Sequence, residues 1–103
     1  MNLSYPKPKR LVVSNITFRA RKRDGACLYG LWHKDGCQGG LDGHHMIPVG
    51  AGGPDELWNI ISLCRWHHTK VELLLIKPEE LRRLMTVYHG FHYDEYGFLM
   101  EVR

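Results

Sequence analysis

Apolar positions along the chain come in short bursts separated by glycine, proline and charge. The clearest period lies near the C-terminus. Leu81, Leu84, Met85 and Tyr88 stand at i, i+3, i+4 and i+7, one face of a helix. Pro78 suits its first turn, Glu79 and Glu80 suit the positive end of the helix dipole, and Gly90 stops it. This helix reads as packing rather than chemistry. Residues 65–75 also have helical length and polarity. The short apolar runs at 41–48 and 58–63 are of strand length, and the Val-Gly-Ala-Gly-Gly-Pro-Asp stretch at 49–55 between them is a loop. Trp58 and Trp66 read as packing residues. Residues 27–40 are glycine-rich and bounded by cysteines, which predicts a loop held by a metal. Residues 11–23 fit a strand followed by a short basic helix with Ser14 or Asn15 as its cap, and Asp24-Gly25 fits a turn. Pro6 and Pro8 make residues 1–10 an extended arm. The aromatic segment 91–103 is expected to fold back as an extended tail.

A chain of 103 residues is expected to form one domain, with a core small enough for a structural metal to help. Its parts are a basic arm and helix at 1–23, a core at 24–76, and a helix and tail packed on that core at 77–103. No apolar run reaches the roughly 20 residues that span a bilayer. The N-terminus has no apolar segment behind its basic residues, so a cytoplasmic location is expected. The net charge of +3 is unevenly spread. Residues 1–23 hold Lys7, Lys9, Arg10, Arg19, Arg21, Lys22 and Arg23 and no acid, while the remainder is net acidic. A basic segment of this kind suits a polyanion such as DNA, and equally a solubilising tail.

Three cysteines and seven histidines in so short a chain favour metal over disulfides. Cys64-Arg65-Trp66-His67 is a Cys-x-x-His pair, whose spacing lets both side chains bend onto one ion. Cys27 and Cys37 would complete a closed Cys3His set for structural zinc. Nine residues separate those two, far more than usual, and Gly30, Gly36, Gly39 and Gly40 make the loop feasible. His33 lies inside it as a competing ligand.

Between the two halves of that set stand His44-His45-Met46-Ile47-Pro48, then Gly52-Gly53, Asn59, Leu63-Cys64 and His67-His68. In order and spacing these residues resemble the HNH endonuclease family, the ββα-metal or His-Me finger nucleases, and most nearly the small HNH proteins of bacteriophages. The resemblance runs from about Arg23 to Lys70. It implies an α+β fold: a small ββα-metal domain with a zinc knot, a basic N-terminal arm and a C-terminal helix. By position it also implies roles. His45 matches the general base and His44 a ligand of a catalytic divalent ion. Asn59 matches the residue that ties the connecting loop in place, and His68 a second metal ligand. Some members add a ligand one helical turn later, where Glu72 stands; a solvated surface role is the alternative. The catalytic ion would be Mg2+, Mn2+ or Ni2+. The sequence departs from the commoner pattern in placing His67 where a second cysteine usually stands. This also permits an assignment in which His67 binds the catalytic ion and zinc is absent.

The chemistry fits these residue types. Phosphodiester hydrolysis needs water deprotonated and the developing anion stabilised. A neutral imidazole does the first and a divalent ion the second. The expected activity is metal-dependent DNA cleavage with low sequence specificity, one strand at a time in a monomer, with a weak dimer as the route to double-strand cuts. The family's core lies against the minor groove. Arg19, Arg21, Lys22, Arg23, Arg65 and Lys70 are the candidate phosphate contacts. Two other readings share the same framework. One is a non-catalytic zinc module that binds DNA or a partner. The other is an accessory to a phage DNA-packaging terminase, which would place the protein in the host cytoplasm.

Overall fold

The structure, a computed structural model, describes residues 15–101. The expected extended arm, the strand from Leu11, the Ser14 cap, and Lys7, Lys9 and Arg10 lie outside those residues. Helix α1 (Asn15–Asp24) ends where Gly25 takes φ +70°, with the Gly25 N–H bonded to the Arg21 carbonyl. Helix α2 (Leu28–His33) follows, then strand β1 (Leu41–His45) and two 3-10 turns, Val49–Ala51 and Leu57–Asn59. Strand β2 (Ile60–Cys64) leads without a break into helix α3 (Arg65–Glu72). Helix α4 (Pro78–His89) and a small hairpin, β3 (His92–Tyr93) and β4 (Leu99–Met100), complete the order. The result is a small α+β fold with two two-stranded antiparallel sheets. Among the described residues, no helix is long and apolar enough to cross a membrane.

The β1–β2 register runs from Leu41 opposite Cys64 to His45 opposite Ile60. Every residue of β2 is buried, which is why residues 60–64 read as a continuous apolar run rather than an alternating one. β2 sits between α1, α2 and α3, and Ile61 and Leu63 join Leu28, Leu81, Leu84 and Met85 in the core. As the period predicted, Leu81, Leu84 and Met85 carry the buried face of α4, while Tyr88 is exposed and meets Trp32 edge-on. Gly90 closes that helix at φ +76°.

Three expectations are corrected. Residues 27–40 are not all loop, because 28–33 are helical. Cys27 acts as the N-cap, its Sγ accepting the Gly30 N–H, while Leu28 is driven into the core and Lys34 ends the turn in the left-handed region. Six residues are too few to show a helical period. The helix expected over 65–75 stops at Glu72, and Leu74 at φ 63° turns the chain so that Ile76 can be buried. Trp66 is exposed and lies beneath the Lys70 ammonium instead of packing inside, whereas Trp58 is half-buried against Tyr93 and Phe98. The basic helix expected before Asp24 is present and is packed. Ala20 of α1 is fully buried, and a Cβ on Gly43 would come within 2.9 Å of the Thr17 Cβ, so α1 lies directly on β1.

Arg23 shows how α1 is held. Expected among the phosphate contacts, it turns inward. Its guanidinium donates to the carbonyls of Leu57 (2.7 Å) and Ile60 (2.6 Å) and forks onto Asp24. These carbonyls lie at and just before the start of β2, and a planar five-donor group suits them. Asp24 is itself buried and accepts from the Ser62 N–H (3.0 Å) and His89 Nε2 (2.6 Å). Burial opposes its charge, but the hydrogen bonds from Arg23 and Ser62 outweigh this and hold the carboxyl below its ordinary value of 3.8. The contribution of Asp24 to stability is therefore present above that ordinary value and is lost as pH falls through the lower folded value. Asp24→Ala leaves the part-buried Arg23 charge without its carboxylate and the Ser62 N–H without its acceptor. It is expected to cost about 3–5 kcal/mol in urea unfolding at neutral pH; a loss below ~1 kcal/mol would show that the network is not holding α1.

Candidate functional site

Two clusters lie on either side of the start of α3. The first is Cys27, Cys37, Cys64 and His67, whose ligand atoms all lie within 4.8 Å of one another. Cys27 comes from the N-cap of α2, Cys37 from the segment before β1, Cys64 from the end of β2, and His67 from the first turn of α3. His67 Nδ1 stands 3.3, 3.7 and 3.2 Å from the sulfurs of Cys27, Cys37 and Cys64. A tetrahedron with metal–sulfur bonds of about 2.3 Å and metal–nitrogen bonds of about 2.1 Å has sulfur–nitrogen edges of roughly 3.6 Å. The set is therefore positioned to bind a metal ion, and its donors suit zinc.

The surroundings agree. His67 is buried, and its Nε2–H is held by Asp35 Oδ2 at 2.9 Å, which leaves the Nδ1 lone pair facing the sulfurs. A Cβ on Gly30 would lie 2.4 Å from Cys37 Sγ, so only glycine lets that sulfur reach the cluster. Three thiols this close do not ionise together unaided. Burial and the neighbouring sulfurs push Cys37 up to about 12, and burial raises Cys27 as well. Cys64 is also buried, but N–H groups of His67 and Gln38 draw it down to about 7. A cation bound by this set would supply the charge that deprotonates the rest. His33, the competing candidate, is not part of the set; its Nε2 pairs with Glu80 Oε2 at 2.5 Å.

The second cluster gathers residues predicted from β1 and α3. His44 and His68 meet edge to face with ring centroids 4.9 Å apart. His68 Nε2 lies 3.7 Å from Glu72 Oε2, one turn along the same helix. Burial, with the nearby His68 and His45, lowers His44 to about 4, so it is a neutral nitrogen donor at pH 7. Among the described residues only the Cys/His set has its ligand atoms converging within 4.8 Å, and the histidine cluster is more open. It lies between two hollows. On one side is a cavity of about 580 Å³ bordered by His44, His45, His68, Glu72, Val71 and Leu81. On the other is an open cleft of about 470 Å³ bordered by Arg21, Arg65, Thr17, Asp42, His68 and Glu72.

His45 ends β1 on the loop side, where its Nε2 meets Asp55 Oδ1 at 2.7 Å. The loop that carries Asp55 is fixed by Asn59. That side chain is buried, accepts the Ile47 N–H (2.9 Å) and donates to the carbonyls of Ile47 and Pro54 (3.1 Å each). The Gly-Gly step has a steric cause as well, since a Cβ on Gly53 would fall 1.8 Å from the Ile47 carbonyl oxygen.

Of the basic residues, Arg21 and Arg65 face the open cleft, and Arg19 and Lys22 are exposed on α1. Arg65 forks onto Asp42, and Lys70 stands 3.7 Å from Asp35. Three acids were not read from the sequence: Asp35, Asp42 and Asp55, each bonded to one of the histidines. Only Asp42 left a trace, because it stands two residues before His44 and so on the same face of a strand.

A comparison with models of known protein families finds no match, and no solved structure matches the chain. Over 34 residues, 33% of this chain, it is 50% identical to an uncharacterized 38.5 kDa protein in psbA intron 1 of Chlamydomonas moewusii. The match covers 10% of that protein's length.

Proposed function

We infer that the chain is a metal-dependent DNA endonuclease of the HNH type, built on a ββα-metal core whose Cys27–Cys37–Cys64–His67 set holds a structural zinc. The observation that carries this reading is the grouping beside His45 of His44 against His68 and of His68 beside Glu72, between an open cleft that Arg21 and Arg65 line and the cavity bordered by His44 and His45. Two imidazoles and a carboxylate are a donor set suited to a divalent ion. When bound there, such an ion supplies Lewis-acid stabilisation to the pentacovalent phosphorus and the departing oxygen.

The chain's own residues do the rest. Asp55 takes the Nε2–H of His45, so the imidazole lone pair sits on Nδ1, the nitrogen that removes a proton from the attacking water. Asn59 keeps the 46–59 loop, and with it Asp55, in place. Arg21 and Arg65 meet phosphates across the open cleft, with Arg19, Lys22 and Lys70 extending the contact. Such contacts are backbone-directed, so cleavage has little sequence preference. DNA in the minor-groove orientation is the partner, and nicking is the product of a single site.

The test is conversion of supercoiled plasmid by the purified full chain. Open-circle DNA is expected with added Mg2+, Mn2+ or Ni2+ and none with EDTA. Protein that shifts DNA in a gel but leaves plasmid supercoiled under every metal would replace this reading with that of a zinc-stabilised binding module, including one serving a DNA-packaging machine.

A further inference from the structure

The two metal-facing histidines of α3 are consecutive, yet they present opposite ring nitrogens. His67 turns Nδ1 to the sulfurs and gives Nε2 to Asp35. His68 gives Nδ1 to Asp42 Oδ2 at 3.0 Å, which leaves Nε2 on the side of Glu72. In both cases the carboxylate is backed by a cation: Lys70 stands near Asp35, and Arg65 forks onto Asp42 with contacts of 2.8 and 3.1 Å. A carboxylate behind a histidine ligand fixes which nitrogen carries the proton, holds the ring plane and raises the basicity of the ligating nitrogen.

We propose that Asp42 is a positioning residue for the divalent-ion site, fixing His68 in the Nδ1–H form so that Nε2 is the metal-binding atom. This rests on the endonuclease reading above for the identity of the site. The placement is built into the hairpin: Asp42 and His44 are i and i+2 on β1, so their side chains share one face, the one against which His68 lies. His44 approaches His68 from β1 as a neighbouring ligand, Glu72 from the following turn, and Asp42 from behind. Arg65 forks onto the same carboxylate, so Asp42 faces His68 as an acceptor between two donors.

The experiment is long-range proton–nitrogen NMR of the His68 ring in the zinc-loaded full chain, together with Mn2+ affinity by electron paramagnetic resonance. The wild type is expected to show the Nδ1–H tautomer. Asp42→Ala is expected to lose that preference and weaken Mn2+ binding about 10–100-fold. Asp42→Asn, which keeps an acceptor oxygen, is expected to recover part of both. Zinc content and the thermal transition show whether each variant is folded; should Asp42→Ala fail to fold, the Asn variant alone decides, through a fall in Mn2+ affinity. A wild type already in the Nε2–H form overturns the proposal, as do folded variants with unchanged tautomer and unchanged Mn2+ affinity. A wild type with the Nδ1–H form that binds no Mn2+ would overturn the proposed metal role of Asp42 and the divalent-ion reading of the cluster. Binding of Mn2+ without plasmid cleavage would overturn only the endonuclease reading.

Discussion

Removing the metal from the Cys27–Cys37–Cys64–His67 set is expected to unfold the protein. Structural zinc in small domains contributes an apparent 10–16 kcal/mol at neutral pH, about, whereas whole domains are stable by roughly 5–15 kcal/mol. The set joins the N-cap of α2, the end of β2 and the first turn of α3, which are the segments the core is built around. Without the ion, buried His67 and three sulfurs, two of them buried, lose the centre that ties their segments together. Circular dichroism melts with and without a strong chelator, and of Cys64→Ala, measure this. Loss of the cooperative transition on chelation and its return with one equivalent of Zn2+ are the expected results. An unchanged midpoint after complete metal removal would mean that hydrophobic burial alone suffices and that the set is incidental to folding.

The second large effect concerns His45→Ala. Loss of a general base lowers rate by about 10²–10⁴-fold, roughly 3–5 kcal/mol of transition-state stabilisation. Folding should be little affected, because His45 is bonded to the exposed Asp55 and contributes nothing to the buried cluster. Initial rates of plasmid nicking at saturating Mg2+, with the thermal midpoint measured alongside, separate the two quantities. A variant that keeps wild-type rate would move the base role elsewhere. One that loses rate and fold together would say nothing of base chemistry and would instead show that the Asp55 contact anchors the loop.

How far the sequence foretold this arrangement differs by element. The α4 period, the run that becomes β2 and the Gly-Gly loop were legible because each is a local pattern of side chains against one environment. The Cys3His set was legible as spacing, yet its choice of His67 over His33 depended on a fold that sends His33 to Glu80. Helix α2 was hidden by its brevity and by Gly30, which the Cys37 sulfur requires. Asp35 and Asp55 were invisible as partners, since each lies 10 or 32 residues from its histidine and a polar residue in a loop carries no mark of such a contact; Asp42, on β1, showed only that it shares a face with His44, not that it meets His68 26 residues on. Arg23 was misplaced for a similar reason: the carbonyls it serves lie 34 and 37 residues away.

Because His67 and His68 are neighbours on a helix, they point about 100° apart, and the two centres share one turn of backbone. That sets an asymmetric tolerance to changes of length. Adding or deleting one residue between Cys64 and His68 would rotate both imidazoles off their partners at once, and no adjustment on one side restores the other. The four-step interval from Cys64 to His68 is therefore the one spacing on which both clusters depend together.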